Sequence, residues 1–148
     1  MDDDARVVTA SREIDAPADV LFELIADPAR QPEWDGNDNL AFSISPRVRA
    51  VGDVFVTTLT GGTDRDNHVV ELEEPRLIAW RPATAGQPVA GHLWRWELEP
   101  LDAARTRVTH TYDWSQLTDP HREERARATT PAMLAASLER LAALAGRA

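Results

Sequence analysis

The chain has 148 residues, 43% of them hydrophobic and 28% charged, with 16 basic against 25 acidic side chains and a formal net charge of −9. That length and apolar content fit one globular domain, here expected to span 1–148, and exclude disorder. Every basic residue is Arg, and neither Lys nor Cys occurs; this excludes Schiff-base chemistry, a P-loop, thiol catalysis, disulfides and Cys-ligated metals or clusters. The acidic balance speaks against nucleic acid as a partner. Met1-Asp2-Asp3-Asp4 offers no apolar leader segment and no run is long enough to span a bilayer, so a cytoplasmic protein without membrane insertion is expected.

In chain order, Arg6 to Ile14 is extended and ends at Ala16-Pro17. Val20, Leu21, Leu24 and Ile25 then recur at helical spacing behind Pro17, and Asp27-Pro28 stops that helix. Asp27 caps a second short turn, which Gln31-Pro32 interrupts, and residues 33–39 read as a loop. Strands are predicted over 40–51, 53–60, 66–73 and 76–81, separated by Gly52, Gly61-Gly62 and Glu74-Pro75. After the turn at 85–88, two clearly alternating strands run over 92–99 and 105–114. Asp119-Pro120 and Thr130-Pro131 each place a cap before a first-turn proline. Leu134, Leu138, Leu141 and Ala145 then form one helical stripe that stops at Gly146. Hairpin-linked strands with helices at the ends predict an α+β fold, an antiparallel sheet packed on the last helix.

Period-two geometry gives the strands faces. His92, Trp94, Trp96 and Leu98 oppose Arg95, Glu97 and Glu99; Thr106, Val108, His110, Tyr112 and Trp114 oppose Arg107, Thr109, Thr111 and Asp113. By the same alternation His68, Val70 and Leu72 oppose Val69, Glu71 and Glu73. The charged faces must be solvated, so the tryptophans and all three histidines are placed inward. Either these rings fill the core, as aromatics commonly do, or they line a pocket whose apolar wall carries a few placed polar groups. On the long helix Met133 and Ser137 flank the leucine stripe and are placed on the cavity side.

Other features carry less. Trp34 reads as a staple closing the short helix over the sheet edge, and Trp80 lies in a run too uniformly apolar to assign a face. Arg81 and Asp64 fall near turns at a possible cavity mouth. Asp64-Arg65-Asp66-Asn67 lacks the length and glutamate of a calcium loop, and the histidines have no ligand spacing, so no metal is expected. No Gly-x-Ser-x-Gly occurs, and Gly61-Gly62 is a hairpin turn rather than a dinucleotide fingerprint; no cofactor is expected.

Several segments together resemble the START-like (SRPBCC) superfamily. Ile14-Asp15-Ala16-Pro17-Ala18-Asp19-Val20-Leu21-Phe22 resembles its I-x-A-P-x-x-V-F opening, and Asp27-Pro28 with Glu33-Trp34-Asp35 resembles the short helices that follow. Val51-Gly52-Asp53, the hairpin from Val70 to Trp80, and Thr106 to Tyr112 resemble later turns and strands, so that the likeness runs from Val7 to Leu144. It is nearest to the bacterial polyketide cyclase/dehydrase-like branch. The resemblance implies a helix-grip fold: a curved seven-stranded antiparallel sheet wrapped around the long C-terminal helix, with two short helices after strand 1. It also implies a hydrophobic cavity for lipids, polyketides or other apolar ligands. Membership carries no shared catalytic motif.

The expected function is therefore binding of a small, largely apolar ligand, lipid-like, polyketide-like or aromatic, by a monomer or homodimer. The expected lining is His68, His92, Trp94, Trp96, His110, Tyr112, Trp114, Met133 and Ser137. The alternative is a cyclase, dehydratase or hydrolase in which His68 or His110 shuttles a proton while Tyr112 or an Arg polarises a carbonyl. A third reading, an interaction module, would require a large exposed apolar patch.

Overall fold

A computed structural model describes residues 6–146. The order is β1 (Val7–Ile14), α1 (Ala18–Ala26), a 3-10 turn (Pro28–Arg30), α2 (Gln31–Trp34), β2 (Leu40–Phe42), β3 (Val54–Leu59), β4 (Asp64–Glu73), β5 (Leu77–Thr84), β6 (Leu93–Asp102), β7 (Arg105–Asp113), α3 (Pro120–Arg127) and α4 (Pro131–Ala145). The seven strands form one antiparallel sheet in the order β1-β7-β6-β5-β4-β3-β2. Strands β2 to β7 therefore meander, and β1 returns to pair with β7 from Val7↔Asp113 to Ile14↔Thr106. This is the expected α+β helix-grip architecture, with α4 packed on β1, β7, α1 and α2. No helix among the described residues is long and apolar enough to cross a membrane.

The core follows from the two periodicities. Helix α1 buries Leu21, Phe22 and Ile25 against Ile78, Trp96 and Val108 from the sheet and Leu138 and Leu141 from α4. Each such side chain removed from water contributes about 1.5–3 kcal/mol. A smaller cluster of Tyr112, Trp114, Leu117, Ala126 and Leu134 holds α3 and the start of α4 to the end of β7. The predicted caps form: the Asp119 side chain accepts from His121 N at 2.9 Å, and the Thr130 hydroxyl accepts from Met133 N at 3.3 Å.

Three local departures matter. The strand expected over 40–51 stops at Phe42, because side chains replace the backbone ladder beyond it. Ser43 Oγ donates to Val56 O at 2.5 Å and Ser45 Oγ accepts from Val56 N at 2.8 Å, just before Pro46, which has no N–H to give. Strand β4 carries an irregularity between Val69 and Glu71. The extra residue, Val70, puts two successive side chains on the outer face, so alternation counted back from Leu72 arrives one residue out of phase. Strand β5 continues past Arg81 to Thr84, but its pairing with β6 ends at Trp80↔Trp94. Pro82 is accommodated there, where no donor to β6 is required.

The chain after α2 is seated directly on α4. Gly36 N donates to Ser137 Oγ at 2.8 Å, and a Cβ on Gly36 would lie 2.4 Å from Met133 O and 2.7 Å from Ser137 N. Both neighbours are helix backbone and cannot swing aside. Gly36→Ala is therefore expected to cost about 1–3 kcal/mol in urea unfolding, and Ser137→Ala about 1 kcal/mol through the lost hydrogen bond. Gly61→Ala, where a Cβ meets nothing within 4 Å, serves as the neutral control.

Candidate functional site

A cavity of about 830 Å³ lies between the concave face of the sheet, the segment from α2 to Leu40, and α3 with the first turn of α4. The register brings its wall together. Val69↔Trp80, Trp80↔Trp94 and Trp94↔Tyr112 make one transverse row, and Ile78↔Trp96 with Trp96↔His110 makes the next. Directly paired residues share a face, so the inward residues of four strands stand side by side.

The wall is a stack of rings. His110 lies 3.7 Å from Trp96 at an interplanar angle of 16° and 5.4 Å from Trp94 at 18°. Trp94 meets Tyr112 at 4.3 Å, Tyr112 meets His92 edge-on at 5.9 Å, and Trp34 meets Trp96 edge-on at 5.1 Å. Such contacts contribute about 0.5–1.5 kcal/mol each beyond burial. Trp96 Nε1 and His92 Nδ1 are buried away from water among them.

That environment decides the protonation states. Burial brings His110 down to about 3, while its Nδ1, 3.1 Å from Arg95 O, must carry the hydrogen because a carbonyl only accepts. His92 is brought down to about 4 by burial, reinforced by the charges of Arg65, Arg122 and Arg81. Burial pushes Tyr112 up to about 12, against the pull of the same Arg65 and Arg122 and of Arg125. At neutral pH the two imidazoles and the phenol are thus uncharged. Asp35, also on the wall, is raised from its ordinary range by burial, although its carboxylate accepts from Asn37 N at 3.3 Å and Asn39 N at 3.4 Å.

Of the nine residues expected to line the cavity, His92, Trp94, Trp96, His110, Tyr112 and Met133 do so. Three are corrected. His68 pairs with Val54 and Arg81 on the outer face; the Val70 irregularity reversed its assignment, and Asn67 takes the inward place. Trp114 is buried beneath α3 between the Arg6 and Arg127 guanidinium groups, 4.4 and 5.0 Å from its ring, because the strand has ended and its alternation no longer applies. Ser137 is occupied with Gly36 on the neighbouring side of α4. Trp34 both staples, donating from Nε1 to Leu24 O at 2.8 Å, and lines the cavity. Trp80 faces inward and meets Phe55 edge-on at 5.2 Å. Arg81 turns outward and donates to Gly91 O at 3.0 Å.

The lid side is α3 rather than α4, whose only lining residue is Met133. Arg65, Asn67, Arg122 and Arg125 went unnoticed in the sequence. Arg65 and Asn67 could have been found only by placing the irregularity in β4. The arginines of α3 sit in a helix so polar that it reads as solvated. Among the described residues no three His, Asp or Glu side chains converge as a metal set would.

Residues 5–146 match the family model described as "Polyketide cyclase / dehydrase and lipid transport". A Mycobacterium tuberculosis protein, "Uncharacterized protein Rv0088", is 39% identical over 111 residues, 72% of this chain and 47% of that protein. The chain thus spans about half the length of the curated relatives it matches. Among solved structures, protein MLL2253 from Mesorhizobium loti superposes with a TM-score of 0.71 at 21% identity, covering 96% of this chain and 98% of that one. The Zhui aromatase/cyclase from Streptomyces sp. R1128 superposes with a TM-score of 0.68 at 20% identity, covering 96% and 94%.

The buried imidazoles make stability depend on pH. Both take up a proton near 6.5 when unfolded but only near 4 and 3 when folded. Between those limits the unfolded state binds more protons, so stability is present above about 6.5 and is lost as pH falls. Urea unfolding at pH 4.5 is expected to show about 2 kcal/mol less stability per histidine than at pH 6.5. His110→Phe, which keeps a ring between the tryptophans, should remove one share of that slope. An NMR titration should find both rings neutral at pH 5.5.

Proposed function

The chain belongs to the polyketide cyclase/dehydrase and lipid transport family of the START-like (SRPBCC) superfamily, and from there we propose that it binds a small apolar ligand, aromatic, polyketide-like or lipid-like, in the cavity over its tryptophan wall. One observation supports this above the rest: Trp94, Trp96, His110 and Tyr112 stand as a neutral ring stack beside about 830 Å³ of unfilled space. That volume falls in the range of small-molecule sites, and the lining sets the aromatic wall beside many polar side chains, Gln31, Asn37, Thr57 and Asn67 among them.

In this reading the residues divide by chemistry. Trp80, Trp94 and Trp96 supply dispersion and stacking, and Met133 adjusts to the ligand outline from the helix side. The Tyr112 hydroxyl, held protonated, donates to a ligand oxygen. Asn67 is less available, since its Nδ2 already serves Phe55 O and Thr57 Oγ1, both at 3.1 Å.

The cyclase or dehydratase reading asks more of the histidines than their surroundings support. His68 lies on the other face of β4, and His110 commits Nδ1 to Arg95 O and is closed between two indoles. A base brought down to about 3 has little drive to take a proton. Tyr112 remains as a donor that could polarise a carbonyl without a proton leaving it.

The test is binding of N-phenyl-1-naphthylamine, an uncharged apolar fluorophore, alongside a thermal-shift screen of lipids, polyketides and aromatic metabolites. Saturable binding with a rise in Tm is expected, and Trp94→Ala should weaken it about tenfold. Absence of binding by wild type, or full affinity in Trp94→Ala, would overturn the assignment.

A further inference from the structure

Most arginines of this acidic chain are matched to carboxylates. Arg47 bridges Glu23 and Glu74, Arg95 meets Glu71 at 2.7 Å, Arg107 meets Glu13 at 2.9 Å, and Arg140 meets Asp38 at 2.7 Å. Arg12, Arg49, Arg76 and Arg81 have no such partner among the described residues, but Arg65, Arg122 and Arg125 are set apart by where they lie. All three border the cavity at the end away from Trp96, and among the described residues no carboxylate pairs with Arg65 or Arg125. Arg122 reaches Asp119 only at 3.8 Å, and that carboxylate already caps α3 through His121 N.

The backbone brings the three together. Arg65 on β4 is the register partner of Thr84 on β5, and Arg122 donates from Nη2 to the Thr84 hydroxyl. Arg125 follows Arg122 by one turn of α3 and presents the same helix face. Of the acids flanking Arg65, Asp64 accepts from the Thr58 hydroxyl at 2.7 Å and Asp66 from Gly86 N at 3.1 Å; Asp64 also lines the cavity, as do Asp35 and Asp119, but none of them forms an ion pair with Arg65. His92 closes this end. It is 5% exposed, and its Nδ1 has no hydrogen-bond partner.

Taking the cavity as a ligand site, as above, we propose that Arg65, Arg122 and Arg125 seat one oxyanion of the ligand, so that the cavity takes amphipathic organic acids: an apolar or aromatic body against Trp94 and Trp96, and a carboxylate, sulfonate or phosphate at the arginines. Guanidinium groups remain charged under all ordinary conditions and offer forked donors that match such an oxyanion. Crowding three of them in a partly closed space is unfavourable until an anion arrives. Arg65 registers this, since burial and the charges of Arg125 and Arg122 disfavour its protonated form. His92 adds a neutral ring to the seat without adding to the repulsion.

A matched pair of probes tests it: 1-anilinonaphthalene-8-sulfonate, and the same body without the charge, N-phenyl-1-naphthylamine. Wild type is expected to bind the sulfonate about tenfold or more tightly than the uncharged probe. Arg65→Gln and Arg122→Gln should each reduce that advantage severalfold and together abolish it, while N-phenyl-1-naphthylamine still binds, which also reports an intact fold. Arg65→Lys should keep part of the advantage, and Arg107→Gln on the outer face all of it. Inorganic phosphate should displace the sulfonate probe poorly, because it lacks the apolar body. Equal affinity for both probes in wild type, an advantage that survives the double variant or falls equally in Arg107→Gln, or ready displacement by phosphate would overturn the arginine seat alone. Failure of the uncharged probe to bind wild type would instead strike the cavity reading on which the seat rests.

Discussion

The register between β6 and β7 is the constraint on which the rest of the molecule depends. Trp94 faces Tyr112 and Trp96 faces His110 because the hairpin closes at Asp102↔Arg105 with a single irregularity after Pro100. A slip of one residue would turn Arg95 and Glu97 inward and the indoles into water. In the register observed, His110 enters between two indoles and its Nδ1–H finds the carbonyl of Arg95 on the facing strand. The rings, the tautomer and the neutral charge of the wall follow from that one alignment.

Much of this was legible in the sequence. The alternation in β6 and β7 is unbroken over the residues that matter, and proline–cap pairs mark α3 and α4 unambiguously. The family opening around Ile14 to Phe22 added the position of β1. What could not be read has physical reasons. The Val70 irregularity leaves no compositional trace, because valine suits a strand wherever it points, and so His68 and Asn67 exchanged faces. Ser43 and Ser45 look like ordinary strand residues, yet their hydroxyls take over the pairing that backbone would have made. Trp114 stood one position beyond the last paired residue, Asp113, where alternation had ceased to mean anything.

Charge was the least legible quantity. A net charge of −9 describes the outer surface, where carboxylates outnumber arginines and pair with them at modest individual worth. It says nothing of Arg65, whose inward place depends on the β4 irregularity, or of Arg122 and Arg125, which border the cavity only because α3 folds over the open side of the sheet. Arginines gathered at one end of a recess in an acidic chain are a difference in location that a sum over residues averages away.

The pairing of β1 with β7 has a consequence for how the chain reaches this state. It joins residues about a hundred positions apart, as does the contact of Gly36 with Ser137. Closing loops of that length is entropically late, whereas the hairpins from β3 to β7 are local. A meander that forms first would hold Trp80, Trp94 and Trp96 on an uncovered face until the N-terminal strand and the last helix arrive together. During synthesis that face waits for the final residues of α4 to leave the ribosome. The aromatic face that ends up lining the cavity is in that interval the surface most open to aggregation.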